Sequence, residues 1–337
     1  MEIKKNDLTY SLLKKSKIDQ LLKIINKTEK ISSSRIKTKK TKKEWLWQYK
    51  YLPTYKSFCY LVKYQNKIIG YYHVPTFKFH FEKKVFLIGN VQDVGILKEY
   101  RSLGIFKSLS KYAIKDLSKK VDLLYTFPNK YSIKNFTLNN NFTFFRYLPI
   151  FIKQTFSIKK KMKLGNEEKI IYFKKINQSI IQLFKNFCLK HQSFVIRDKS
   201  FLNWRYLNSP KGKIHIVGLK IRDKLNAVIF YKYEKILGFN SIIILDFAFD
   251  NYENLSSLIN NLNQNLSYKK DSKFHFIIMS GIFHDMNFVL KENFIEIPKI
   301  INPRKLILLT KIFNKKIVKK FNKNLSWFVT LGDWDIF

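Results

Sequence analysis

The 337-residue sequence is short of several features, and each shortage excludes a class of protein. Its two cysteines, Cys59 and Cys188, are too few for a disulfide framework, and their spacing fits no metal site. Apolar runs are short, and the one at residues 242–245 ends at Asp246, whereas a membrane-spanning helix needs about 20 apolar residues. No Ser/His/Asp or Cys/His nucleophile arrangement is recognisable. We therefore expect a cytoplasmic protein that binds no metal.

Acidic residues are also scarce, since 24 Asp and Glu stand against 64 Lys and Arg, giving a net charge of +40. Two interpretations remain open. A genome rich in A and T favours Lys, Asn, Ile, Phe and Tyr codons, which would produce much of the excess. Alternatively, the charge attracts a cofactor phosphate, a nucleotide-linked substrate, RNA or an acidic membrane surface. The only dense basic run, Lys37–Lys43, is typical of a solvated loop, as is the serine run at 32–34.

The length predicts two domains, which we place at residues 1–157 and 158–337. In the first, helical spacing covers Ile18–Ile25, and polar residues 65–67 join two strand-like runs into a hairpin. The element order predicts an α/β (α+β layered) fold with mixed, mostly antiparallel sheets flanked by helices. The remaining predicted elements are strands at 77–81, 85–96, 121–127 and 142–152, and helices at 105–117 and 132–140.

Part of the sequence is repeated. The segment from Trp47 to Pro53 has an echo from Trp204 to Pro210, 157 positions later. The stretch 135–142 has a second echo at 287–294, displaced by 152 positions. Two matches at similar offsets indicate a duplicated domain, although Asn and Phe are common enough here for chance matches.

Residues 91–106, VQDVGILKEYRSLGIF, contain the strongest functional pattern. An apolar strand leads into a charged turn, and Arg101 to Gly104 open a helix. Such a turn leaves unpaired N–H groups at the positive end of a helix dipole, which is a site for phosphate or pyrophosphate. The second half has no counterpart, because its strand 242–249 runs into acidic residues without glycine.

Residues 93–106 resemble the acyl-CoA motif of the GNAT superfamily of N-acetyltransferases, with Arg101 and Gly104 at matching positions and Phe106 replacing a small residue. Residues 125–129, with Asn141 and Phe142, resemble the family's next strand and helix. The similarity covers about residues 58–152. Residues 201–210 resemble the second half of tandem members found among polysaccharide-biosynthesis proteins. The second copy, which lacks the turn, is then degenerate and shapes the acceptor cleft.

The resemblance implies acetyl-CoA or another acyl-CoA as co-substrate and a primary amine as acceptor, the suggested one being an amino sugar of a surface polysaccharide. The thioester would lie against the strand backbone at Val94 and Ile96. The pyrophosphate would be held at the turn. The cofactor-binding residues implied in this way are Val94, Ile96, Arg101, Ser102, Leu103, Gly104, Ile105, Phe106, Lys107 and Asn129.

Catalytic groups are harder to assign. Where the family often has a tyrosine that protonates the leaving thiolate, this chain has Thr137, a poor acid, and nearby Tyr131 is the candidate substitute. Asp93, at the head of the strand, is the candidate base, with a structural role as the alternative. Glu99 is expected to be a solvated turn residue. His73 and the tryptophans at 45, 47 and 204 are expected in the core.

Two other functions remain open. A Fem-type aminoacyl-tRNA-dependent transferase has a similar tandem fold, and the basic charge would then serve RNA. The retained Arg101–Gly104 turn favours CoA instead. A non-catalytic binding protein with a relic CoA site is consistent with Thr137.

Overall fold

The computed structural model describes residues 7–29, 39–155, 165, 167–267, 274–283, 293–300, 305–321 and 324–334. The chain forms two compact units. The first comprises Met1–Phe79, Val85–Arg146 and Leu306–Lys323, and the second His80–Lys84, Tyr147–Lys305 and Asn324–Phe337. Residues 306–323, which the sequence division assigned to the second domain, thus belong to the first unit. The boundary at 157/158, the loop at 32–34, residues 37–38 of the lysine run and repeat residues 287–290 lie outside the described residues.

The elements mainly in the first unit begin with a strand and two helices that precede an antiparallel hairpin. They are β1 (Leu8–Leu12), α1 (Ile18–Glu29), α2 (Lys42–Tyr49), β2 (Ser57–Tyr64), β3 (Lys67–Phe81), β4 (Lys84–Asn90), β5 (Gln92–Ile96), α3 (Ile105–Leu117), β6 (Leu123–Thr126) and β7 (Thr143–Leu148).

Local sequence explains several boundaries in the first unit. A capping box between Thr41 and Glu44 starts α2. Gln65 and Asn66 have positive φ angles of 48° and 63°, as a two-residue hairpin turn requires. Apolar side chains of α3 pack on the sheet, and Tyr112, although 41% exposed, stacks on Tyr10 of β1 with the ring centroids 5.3 Å apart.

The predicted strand 85–96 is two strands, because the chain changes partner at Val91. Before the break, β4 pairs with β6 in parallel, and after it β5 pairs antiparallel with β3. The predicted strand 77–81 is the end of β3, and the predicted helix 132–140 is largely a π-helical turn, Asn135–Asn139. The predicted strand 142–152 is divided at Pro149. Of its two parts, β7 ends at Leu148, and the second part belongs to the second unit.

The second unit repeats the element order of the first. Its strands and helices are β8 (Ile150–Gln154), β9 (Glu168–Phe173), α4 (Gln178–Cys188), β10 (Ser193–Val195), α5 (Lys199–Leu202), a π-helical turn (Asn203–Leu207), β11 (His215–Ile221), β12 (Lys224–Ile236), β13 (Phe239–Phe249), α6 (Tyr252–Ser267), β14 (Phe276–Ile282), β15 (Ile295–Glu296) and β17 (Trp327–Thr330). The first unit also contains β16 (Leu306–Ile312) and α7 (Lys315–Val318). None of the helices in the described ranges is long and apolar enough to cross a membrane.

The repeat extends to strand register. The β11–β12 hairpin turns at Arg222 and Asp223, whose φ angles of 48° and 64° match those of Gln65 and Asn66, 157 positions earlier. Both hairpins have a register shift at equivalent positions, between Val62 and Lys63 and between Leu219 and Lys220. Matching irregularities at one offset are a stronger sign of duplication than the two sequence echoes.

One strand of each sheet comes from elsewhere in the chain. In the first unit, β16 pairs antiparallel with β6, with Leu309 opposite Thr126. In the second unit, β8 pairs antiparallel with β14, with Ile152 opposite Ile278. Each unit is therefore completed by a strand that the sequence division assigned to the other domain.

Candidate functional site

Strand β4 pairs with β6 as far as Asn90, and the chain leaves β6 after Val91. The N–H of Val91 donates to the Tyr125 carbonyl at 2.8 Å, and the Thr126 hydroxyl donates to the Val91 carbonyl at 2.8 Å. Beyond this point β5 pairs with β3, with Val94 opposite Tyr72 and Ile96 opposite Gly70. Strand β5 has its register with β3, whereas β6 has its registers with β4 and β16. The backbone at Val94 and Ile96, predicted to hold the thioester, therefore lies on a strand that has left its neighbour.

The turn after β5 has an unusual backbone. Residues 98–100 form a 3₁₀ turn, and then Ser102 and Gly104 adopt left-handed conformations with φ of 65° and 71°. Gly104 is the N-cap residue of α3, and no side chain caps the helix there. A Cβ atom on Gly104 would meet nothing within 4 Å, so its conformation rather than its space requires glycine.

The turn presents backbone donors. The six N–H groups from Ser102 to Lys107 donate to no acceptor in the described part of the chain. Ile105 is 2% exposed and Phe106 packs against the core, so their side chains face the protein interior. Leu103 is 45% exposed. Because α3 has 13 residues, its dipole adds positive potential at the same place, and the arrangement suits a phosphate group.

The charged residues of the turn differ in role. Arg101 and Lys107 are exposed, and the Arg101 Nε donates to the Ile96 carbonyl at 3.0 Å. Glu99 forms an exposed ion pair with Lys27 at 2.8 Å, whose hydrogen bond lowers the pKa of the Glu99 carboxyl. The Asn129 Oδ1 accepts N–H groups of Tyr131 and Ser132, each at 3.0 Å, and so caps the following turn.

Asp93 is the centre of a polar cluster. Its φ of 46° is left-handed, and its Oδ2 accepts hydrogen bonds from the Lys40 ammonium and the Tyr49 hydroxyl. The Lys40 and Asp93 side chains are each 11% exposed. The Lys40 Nζ also lies 5.3 Å from the centre of the Tyr49 ring.

His73 holds the backbone of Asp93. The Trp45 Nε1–H donates to the His73 Nε2 at 3.0 Å, which assigns the ring proton to Nδ1, 3.2 Å from the Asp93 carbonyl oxygen. Burial and then the charge of Lys40 hold the pKa of His73 well below its usual value. The ring is therefore neutral at pH 7 and can donate to Asp93 with one nitrogen while accepting from Trp45 with the other.

The candidate acid does not join this cluster. Tyr131 is 68% exposed, and within the described ranges no hydrogen bond links it to Asp93. The hydroxyl of Thr137 donates to the Ile133 carbonyl at 3.0 Å, so its proton lies on a helix carbonyl. Lys40 and Tyr49 were not predicted as partners of Asp93. The signal in the sequence is the 157-residue offset, which aligns them with Arg197 and Tyr206.

The equivalent helix start in the second unit is capped. After β13, Asp250 accepts the Asn251 N–H at 2.8 Å through Oδ1, and Asn251 accepts the Asn254 N–H at 3.0 Å. Because these side chains accept N–H groups at the start of the helix, those N–H groups are not available to an anion. In the parts of the chain that the structure describes, no group of three or more His, Cys, Asp or Glu could hold a metal ion.

Comparisons with known proteins agree with this geometry. Residues 9–135 match the acetyltransferase (GNAT) domain family. A GCN5-related N-acetyltransferase from Anabaena variabilis has a TM-score of 0.66 at 12% identity, over 91% of this chain and 73% of that one. The N-myristoyltransferase of Saccharomyces cerevisiae, solved with bound myristoyl-CoA, has a TM-score of 0.58 at 10% identity, covering 93% and 84%. A tandem GNAT protein from the clavulanic acid biosynthesis pathway gives 0.60 at 8% identity, covering 91% and 98%.

No curated protein matches the sequence. The resemblance carried by residues 93–106 is nevertheless confirmed, because the matched family domain includes the whole turn. The predicted tandem architecture agrees with the similarity of the fold to a tandem GNAT protein over most of both chains. Residues 9–135 thus match the acetyltransferase (GNAT) domain family, and the chain as a whole has the fold of a tandem GNAT protein.

Proposed function

We propose that the first unit transfers an acetyl or other acyl group from acyl-CoA to a primary amine. The observation that carries the proposal is the row of six backbone N–H groups at Ser102–Lys107, without acceptors in the described chain, at the start of α3. These donors suit a pyrophosphate, and Arg101 and Lys107 add positive charge beside them. The match of residues 9–135 to the acetyltransferase (GNAT) domain family supports acyl transfer as the reaction class.

The same strand would hold the reacting groups. Acyl-CoA supplies a thioester, whose carbonyl carbon the amine nitrogen attacks as the C–N bond forms and the C–S bond breaks. An N–H of β5, near Val94 to Ile96, would stabilise the charge that develops on the carbonyl oxygen. Asp93, which directly precedes Val94, would accept the proton released by the amine. Tyr131 remains the candidate donor to the leaving thiolate.

A calorimetric titration with acetyl-CoA at physiological salt tests the cofactor site. The wild-type protein is expected to bind saturably, and Gly104→Val to lose binding. The reason is that valine disfavours the left-handed conformation at φ 71° and would redirect the neighbouring N–H groups.

The matched control is Gly238→Val. Gly238 also has a positive φ, 91°, and also has open space around its Cβ position, but it lies in the β12–β13 turn. The Gly238→Val variant should lose about as much free energy of unfolding as Gly104→Val, while it binds acetyl-CoA like the wild type. If both variants bind normally, the pyrophosphate does not lie on the 101–107 turn. If the wild type binds no acetyl-CoA but binds tRNA with a steep salt dependence, a Fem-type function replaces the proposal.

A further inference from the structure

The polar cluster around Asp93 occurs twice in the chain. In the second unit, Asp246 Oδ2 accepts from the Tyr206 hydroxyl at 2.7 Å and from the Arg197 Nε at 3.2 Å. Arg197 and Tyr206 lie 157 positions after Lys40 and Tyr49, the offset found in the hairpin turns. Asp246 lies 153 positions after Asp93. Three residues after Asp93, Ile96 pairs with Gly70, and three residues after Asp246, Phe249 pairs with Ala227. Gly70 and Ala227 are themselves 157 positions apart, so the two aspartates hold equivalent places. The two cation–tyrosine–aspartate clusters are therefore equivalent.

In the second unit, a segment of the same chain fills this cluster. The Asp333 carboxylate accepts from the Arg197 Nη2 at 2.6 Å, and the Thr330 hydroxyl donates to Asp246 Oδ1 at 3.2 Å. Gly332 lies so close to the Tyr206 hydroxyl that a Cβ atom would overlap it. We call residues 330–334 the internal plug, and its described contacts supply one carboxylate and one hydroxyl to the cluster.

Backbone carbonyls of the internal plug are bound by Arg205. Its Nε donates to the Gly332 carbonyl at 2.8 Å, and its Nη2 donates to the Trp334 carbonyl. The residue 157 positions earlier is Gln48, which precedes Tyr49 as Arg205 precedes Tyr206. Gln48 is 2% exposed, and neither its amide nitrogen nor its amide oxygen has a hydrogen-bond partner among the described residues. A buried amide without partners is costly, so a ligand with complementary groups would stabilise it.

We propose that the first-unit cluster binds the carboxylate of an amino-acid-like acceptor, which carries both a carboxylate and the primary amine that is acylated. By equivalence with the second unit, Lys40 takes the carboxylate as Arg197 takes Asp333. Gln48 donates to a second oxygen of the ligand as Arg205 does to the plug. Asp93 receives the ammonium, at the position where Asp246 accepts from Thr330. This inference rests on the proposed function, since it names the acceptor of that reaction.

The charges of the two clusters favour a zwitterion over a simple anion. The second-unit cluster contains two positive charges, on Arg197 and Arg205, and two negative charges, on Asp246 and Asp333. In the first unit the positions of the two arginines are taken by Lys40 and a neutral glutamine. A ligand carboxylate alone would add negative charge beside Asp93, whereas a ligand that also brings an ammonium group leaves the charge balance unchanged.

Two measurements on the full chain test the inference. The first is calorimetric binding of the twenty L-amino acids and of their C-terminal amides, with glucosamine as an amino sugar that has no carboxylate, in the presence of acetyl-CoA. The second is release of the CoA thiol with the same amines. At least one amino acid is expected to bind at least tenfold more tightly than its amide, because a charge-assisted hydrogen bond is lost in the amide. Lys40→Met and Gln48→Met should remove this preference without weakening acetyl-CoA binding.

Lys42→Met is the matched control, since Lys42 belongs to the same segment but forms an exposed ion pair with Asp19. It should keep the preference for the carboxylate. Equal binding or turnover of amino acids, amides and glucosamine would overturn the inference while leaving acyl transfer intact. Absence of acetyl-CoA binding would instead refute the proposed function. The binding preference without thiol release would still support the carboxylate site.

Discussion

The two units carry the same cluster in two states of burial. In the second unit the side chains of Arg197, Asp246 and Asp333 are 1%, 0% and 2% exposed, whereas Lys40 and Asp93 in the first unit are each 11% exposed. The second cluster is closed by a segment of its own chain. The same set of positions is thus fully buried in one unit and keeps partial contact with solvent in the other.

The starts of the helices that follow the two clusters also differ. The α3 start offers N–H groups without acceptors in the described chain, while Asp250 and Asn251 supply side-chain caps to α6. Side-chain caps stabilise a helix end and remove its capacity to bind an anion. Both differences therefore favour ligand binding in the first unit and stability in the second.

The largest loss of stability is expected when the cation is removed from each cluster. Arg197→Met leaves Asp246 and Asp333 buried without their ion pair and should lower the free energy of unfolding by about 3–5 kcal/mol. Lys40→Met should cost roughly 1–2 kcal/mol, between the values for exposed and buried pairs. Urea unfolding of both variants measures the difference. Equal losses would show that the first cluster is as structural as the second.

A smaller effect is expected when the internal plug is disturbed. Gly332→Ala would overlap the Tyr206 hydroxyl and bring its Cβ within 3.2 Å of Asp246 Oδ2, which should cost about 1–3 kcal/mol. The double variant Tyr206→Phe/Gly332→Ala removes the overlapping oxygen. Its loss should therefore be less than the sum of the two single losses. Strict additivity would mean that the plug does not press on Tyr206.

Much of this arrangement could be predicted from the sequence. The Trp47–Trp204 echo gives the offset of 157 residues that also aligns Lys40 with Arg197 and Gln48 with Arg205. The Arg101–Gly104 pattern identifies the turn before α3, because glycine there has a specific conformational reason.

Other features depend on long-range pairing, which local sequence patterns do not encode. Residues 85–96 were predicted as one continuous strand, yet Val91 bonds to Tyr125 while β5 pairs with β3. The exchange that places β16 beside β6 joins residues more than 180 positions apart, such as Leu309 and Thr126. The roles of Asp333 differ for the same reason. It caps the local turn by accepting the Thr330 N–H at 2.9 Å, whereas its bond to Arg197 requires the fold.

The smallest test exchanges one residue between the clusters. Phe230 occupies the position equivalent to His73, so His73→Phe gives the first unit the second unit's side chain. Because the pKa of His73 is depressed by burial and then by Lys40, the unfolded chain binds a proton first as the pH falls below about 6.5. The wild type should therefore lose stability from pH 7 to pH 6, by about 0.7 kcal/mol more than the variant.

The two curves compare the pH dependence and not the absolute stability, since the variant also loses the hydrogen bond from Trp45. Charged groups near His73, namely Lys40 and Asp93, are present in both proteins, so their titration cancels in the difference unless it is coupled to the histidine. Parallel curves would mean that His73 is protonated in the folded protein as readily as in the unfolded chain. The neutral ring would then not be what holds the Asp93 backbone, and the two clusters would differ less than their burial implies.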